Sequence, residues 1–152
     1  MRLALFQPDI AGNVGTLLRL GACLDVGVDL IEPMGFPWSD RALARSGMDY
    51  AAHVDVRRHA GWEEFLASGP ARIVLATTRG ALPLTDARFH SDDVLLLGSE
   101  GAGVPDAVHE RADLRVRVPM RDHLRSLNVA VAGALLLGEA LRQTGGWDQL
   151  TD

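Results

Sequence analysis

The sequence predicts an α/β fold, a mostly parallel sheet sandwiched by helices, and three observations carry that prediction. Short apolar runs alternate with helical stretches along the chain, which is the order of strand and crossover helix. The runs "RIVLA" and "VLLLG" are apolar at successive positions, as strands are when helices cover both faces of a parallel sheet. Finally, 152 residues with 47% hydrophobic content suffice for one domain, residues 1–152, with a core of its own.

The elements follow in order. "RLALF" reads as the first strand, followed by a helix from about Asn13, whose side chain is a candidate cap. "VDLIEP" is the second strand, a short helix starts at Asp40, and "AHVDV" is the third strand. A helix around Trp62 to Ala67 leads to the strands "RIVLAT" and "DVLLLG". Pro105 suits the first turn of the next helix. "LRVRVP" is then a strand, and the last helix, headed by Ser126 and Asn128, is apolar nearly all round. The stretches "MGFPWSD" and "TTRGALPLTDARFH" read as loops, and "TGGWDQLTD" as a loose tail.

Composition narrows the function classes. Met1-Arg2 leads straight into a strand-like run rather than a signal peptide, and Val129 to Leu137 falls short of the ~20 residues that span a bilayer. The expectation is a cytoplasmic protein with no membrane partner. The single cysteine, Cys23, excludes an internal disulfide and a cysteine-based zinc cluster, and reads as a small packed apolar side chain. His53, His59, His90, His109 and His123 show no ligand spacing on a helix, so no metal is expected. The net charge of -5 argues against a general nucleic-acid coat but leaves a local basic patch open. All 15 basic residues are arginines, whose planar fork suits phosphate. Arg41, Arg45, Arg57, Arg58, Arg79, Arg121 and Arg125 fall mostly in loops or helix ends, where they either assemble a patch or are solvated singly.

Ligands of open α/β sheets bind beyond the carboxyl ends of strands, so the loops there are the candidate sites. In "QPDIAGNVGTLLRLGA", Arg19 either snorkels to the surface or points into a site. In "LLLGSEGAGVP", the glycines match neither the dinucleotide nor the phosphate-loop fingerprint. The loop is either a tight turn or a backbone cradle for an adenine or ribose, and Glu100 either a brace within it or a carboxylate facing the site. In "VPMRDHLRSLNVAV", Ser126 or Asn128 caps the last helix or reaches a ligand. "LATTRG" is a fourth, weaker strand-end loop.

Taken together and in order, "PDIAGNVGTLLRLGA", "LLLGSEGAGVP" and "VPMRDHLRSLNVAVAGAL" resemble the three motifs of the SPOUT superfamily, specifically the SpoU-type RNA ribose 2'-O-methyltransferases. "LIEPMGFPWSDRALARSGMDY" and "LATTRG" are similar to the small subfamily that methylates the wobble ribose of tRNA, cytidine or uridine 34. The resemblance implies a sheet whose C-terminal part forms a deep trefoil knot, a homodimer, S-adenosylmethionine as cofactor and the tRNA anticodon loop as partner. It implies no metal. Ala76, Gly98, Val118, Met120, Ser126 and Leu127 are the implied cofactor-binding residues, and Arg19, Asn13, Glu100 and Asn128 the implied catalytic ones. Three other readings stay open: a sister ribose methyltransferase acting on another tRNA position or on ribosomal RNA, an inert RNA-binding module of the same fold, and a flavodoxin-like nucleotide or flavin binder.

Overall fold

Residues 1–39 and 48–150 are described by a computed structural model of the chain. The first apolar run forms β1 (Arg2–Phe6), and helix α1 (Ala11–Cys23) returns the chain to β2 (Gly27–Ile31). A 3-10 helix (Met48–His53) precedes β3 (Val56–His59), and α2 (Trp62–Ala67) leads to β4 (Arg72–Ala76). Next come β5 (Leu82–Pro83), β6 (Asp93–Leu97), α3 (Asp106–Arg111), β7 (Leu114–Arg117) and α4 (Val129–Thr144), with a 3-10 turn at Gly146–Gln149.

The strands form one sheet in the order β3-β2-β1-β6-β4-β7-β5, and every pairing is parallel. Strand side chains alternate between faces, and both faces here are covered. Leu3, Leu5, Leu30, Val74, Leu95 and Leu97 pack with Val14, Leu17 and Leu18 of α1 and with Leu136, Leu137 and Leu141 of α4. The intervening residues, including Ala4, Phe6, Ile73, Leu75 and Leu96, pack with Phe65 of α2 and Val108 of α3. This double cover explains why β6 is buried at every position. Among the described residues no helix is long and apolar enough to cross a membrane.

One crossing is unusually close. A side chain carbon added at Gly133 on α4 would lie 2.8 Å from Leu97 Cδ1 and 2.9 Å from Leu17 Cδ2, so a bare backbone there lets α4 settle onto both α1 and β6.

Several expectations change. Helix α1 starts two residues before Asn13, and Ile10, with no side-chain cap, precedes it. Asn13 is therefore inside the first turn rather than at its cap. The third strand is "VRRH", because Met48–His53 winds up as a 3-10 helix and the paired register with β2 begins at Val56. Cys23 ends α1 on its outward side and is exposed, not packed. Leu82 and Pro83, inside an expected loop, add a parallel edge strand to β7. The expected loose tail is tied down, since Trp147 Nε1 donates to the Gly138 carbonyl at 3.2 Å. The helix expected from Asp40, with Arg41 and Arg45, lies outside the described residues.

Candidate active site

The carboxyl ends of four neighbouring strands, β1, β6, β4 and β7, open onto one cavity of about 460 Å³. Ile10 and Asn13 enter it from the loop and first turn after β1, Ala76, Thr77 and Thr78 from β4, and Leu97 to Glu100 from β6. Val116 to Val118, Met120 and Ser126 to Asn128 come from β7 and the segment after it. Of the residues implied as cofactor-binding, Ala76, Gly98, Val118, Met120, Ser126 and Leu127 all line it, and so do Asn13, Glu100 and Asn128. The wall is apolar at Ile10, Leu97, Val116, Val118 and Leu136, with hydroxyls at Thr77, Thr78, Ser99 and Ser126.

The second loop is folded back on itself. Ser99 and Gly103 exchange two backbone hydrogen bonds of 2.9 Å, and a side chain carbon at Gly98 would fall 2.7 Å from the Gly103 carbonyl carbon. Only glycine fits at Gly98, and its absence of side chain leaves backbone open to the cavity.

A chain of hydrogen bonds joins the three motif loops. Asn128 Oδ1 accepts from the N–H groups of Ala130 at 2.9 Å and Val131 at 3.3 Å, so it caps α4. Its Nδ2 donates to Asn13 Oδ1 at 3.0 Å, and Asn13 Nδ2 donates to Glu100 Oε1 at 2.8 Å. The other Glu100 oxygen accepts from the Asp9 N–H at 2.8 Å, and Asp9 Oδ2 accepts from the Gly101 N–H at 3.2 Å. Each amide therefore has a fixed orientation, and both Glu100 oxygens already accept a proton-bearing nitrogen. Glu100 is a brace in this arrangement. Asp9 is a relay member that sequence reasoning passed over, although its place two residues before the first helix, within the first motif, was a signal. Arg117, Thr77 and Thr78 were also missed, and each sits at or just past the last residue of its strand, where the chain leaves the sheet.

Arg19 is the exception. Six residues separate it from Asn13, which on a helix is about 240° of net rotation and about 9 Å of rise. It is exposed, and its guanidinium carbon lies 4.8 Å from the centroid of the Tyr50 ring in the 3-10 helix. It does not line the cavity of its own chain. A ring contact holds a guanidinium through the quadrupole of the π face and leaves its edge N–H groups free.

Away from the cavity, His90, Asp92 and Asp93 bring possible metal-ligand atoms within 4.8 Å of one another. Asp93 is committed there to Arg72, at 2.7 and 2.8 Å, and to the His90 N–H at 2.9 Å.

A cavity at the strand ends of a parallel sheet, apolar on its walls and closed by a polar relay, defines an α/β protein with a small-molecule site at its switch of strand order. The comparisons with known proteins narrow the class. The SpoU rRNA Methylase family matches residues 1–138, and the chain belongs to that family. It is 53% identical to a tRNA (cytidine(34)-2'-O)-methyltransferase of Ancylobacter novellus, covering 97% of this chain and 95% of the relative. A structure solved in work on 2'-OH methylation of C/U34 on tRNA superposes with a TM-score of 0.88 at 40% identity, over 93% of this chain and 94% of that one. An AdoMet-bound rRNA methyltransferase from Sinorhizobium meliloti superposes with a TM-score of 0.83 at 28% identity, over 93% of this chain and 55% of that one.

Proposed function

We propose that this protein transfers the methyl group of S-adenosylmethionine to the 2'-hydroxyl of the wobble nucleotide, cytidine or uridine 34, of tRNA. The observation that carries the reading is the convergence of three sequence-distant loops on one cavity, locked by the relay from Asn128 to Asp9. The near full-length similarity to a methyltransferase of cytidine 34 supports the substrate.

The cavity fits the cofactor. Its volume, about 460 Å³, lies in the range of small-molecule sites, and its lining is apolar with a few hydroxyls, as an adenosine with a charged tail requires. Ala76, Gly98 and Val118 would hold the nucleoside part, with Met120, Ser126 and Leu127 closing the segment over it. When bound, S-adenosylmethionine supplies an electrophilic methyl carbon. The ribose oxygen would take that carbon, with the sulfur leaving as a thioether and the hydroxyl proton passing to solvent or a nearby acceptor. Glu100 is not that acceptor in this reading, since both its oxygens are engaged. The role of the relay is to fix the loops so that hydroxyl and methyl meet at near-attack distance.

Arg19 does not act as a base, because a guanidinium is a donor-only group with no acceptor site. It orients the hydroxyl or the adjacent phosphate and stabilises developing oxyanion charge. Because it lies outside its own cavity, we read it as serving the cavity of a second subunit. An apolar pair supports a homodimer: Val131 is 49% exposed and Leu135 44%, one turn apart on α4. We also propose that residues 1–152 act as one domain, that the segments after β4 and β7 interlock as the family's trefoil knot, and that the protein works in the cytoplasm without a metal.

The test is methyl transfer from labelled S-adenosylmethionine to tRNA of a strain lacking the protein, with nuclease mapping of the labelled ribose. Label at position 34 is expected. Label elsewhere, or in ribosomal RNA alone, overturns the wobble assignment.

A further inference from the structure

We propose that Arg117, Arg121 and Arg125 form a phosphate-binding rim that holds single-stranded RNA across the mouth of the cavity. This inference rests on the RNA-methylating reading above and adds where on the protein the polyanion lies.

Among the described residues, seven arginines, including Arg2, Arg58, Arg72 and Arg142, sit beside carboxylates. A chain of net charge -5 makes that pairing the ordinary outcome. Arg117, Arg121 and Arg125 break the pattern: all three are exposed, and none has an ion pair or hydrogen bond among the described residues. Asp122 lies within the same stretch and pairs with none of them. Three unneutralised guanidinium groups within nine residues repel one another, and a bound anion relieves that repulsion.

Their position identifies the anion. Arg117 lines the cavity itself, Arg121 follows Met120, and Arg125 precedes Ser126, both of which also line it. The cofactor carries a sulfonium and an ammonium against one carboxylate, so it has use for at most one arginine. A polynucleotide has a phosphate on either side of the reacting ribose. Guanidinium groups bind phosphate through paired N–H donors. Residues 118 to 128 form no helix or strand, and 121 to 128 are exposed throughout, so the segment can follow the backbone of an unpaired loop.

The experiment measures tRNA and anticodon stem-loop binding against salt, for the unaltered protein, an Arg121→Gln/Arg125→Gln double variant and a triple variant adding Arg117→Gln. Arg57→Gln, which removes a guanidinium paired with Asp55 on the far edge of the sheet, is the control. Each phosphate contact on a single strand adds roughly 0.7 to the slope of log affinity against log salt, so the triple variant should lose about 2 and the double about 1.4. The control should lose none. Cofactor affinity, titrated separately, should stay within about twofold for the double variant. Circular dichroism checks folding, and the double variant touches only loop side chains that hold nothing in place. Unchanged slopes in variants of a protein that binds tRNA overturn the rim, and so does a large loss of cofactor affinity at unchanged slope. Failure of the unaltered protein to bind tRNA at low salt overturns the RNA reading itself.

Discussion

Asn128 carries two duties through opposite ends of one amide. Its oxygen caps α4, and its nitrogen starts the relay to Asn13 and Glu100. Asn128→Asp separates them, because a carboxylate still caps but cannot donate to Asn13, and it adds a negative charge near Glu100. The expected result is a melting temperature lowered only through the unpaired, partly buried Asn13 oxygen, about 1–3 kcal/mol, with methylation reduced by about 10–100-fold. Asn128→Ala should lose the cap as well, about 1 kcal/mol, and so melt lower. Arg19 offers a second residue-scale prediction through Tyr50. If the ring holds the guanidinium for catalysis, Tyr50→Phe keeps turnover and Tyr50→Leu lowers kcat severalfold with little change in KM for the cofactor; equal kcat for both variants refutes it. At this scale the sequence was most legible where a motif fixed both residue and spacing, as at Gly98, Glu100, Ser126 and Asn128. Asp9 and Arg117 were not legible, since their importance comes from a Gly101 N–H and a strand-end cavity that appear only after folding.

Helix α4 sits where the site's geometry is set. Gly133→Ala puts a methyl within 2.9 Å of both Leu97 and Leu17, which already pack in the core. Overpacking of this kind costs about 1–3 kcal/mol, and the displaced helix should weaken cofactor binding too, measurable by urea unfolding and titration on the same sample. The other end of α4 anchors the segment before β6. Glu139 accepts from Arg142 and from Gln143, and Gln143 in turn accepts from the Phe89 N–H and donates to the Ala87 carbonyl. The Arg142 hydrogen bond, then that of Gln143, lowers the Glu139 pKa from 4.5 to about 2. A depressed carboxylate stabilises the fold fully above its unfolded pKa and loses that contribution as pH falls through the folded one. The melting difference between the protein and Glu139→Gln should therefore be constant at neutral pH, shrink between about 4.5 and about 2, and vanish below. Strands and long helices were legible because burial on both faces writes continuous apolar runs. Met48–His53 and Leu82–Pro83 were not, because a six-residue 3-10 helix and a two-residue edge strand carry too few residues for a period.

For the whole molecule, parallel topology followed from the alternation of strands and helices, whereas strand order did not. Nothing in the runs themselves says that β6 comes to lie between β1 and β4, yet that insertion is what brings Gly98 between Asn13 and Ala76. The proposed dimer is likewise written only as apolar side chains facing outward. Leu135→Glu should give monomers by sedimentation and abolish methylation. Mixing Arg19→Ala with Asn128→Asp subunits should restore up to about a quarter of the sites if Arg19 crosses to the partner, from random assortment of two subunit types, and no activity if it does not. The bond between Asn13 and Asn128 joins residues 115 apart in sequence. A ribosome adding about 5–20 residues per second leaves roughly 6–23 s between making one partner and making the other. Late in that interval the emerging chain has most of its sheet but no closed pocket, so an arrested translation product withdraws no methyl donor from the cell.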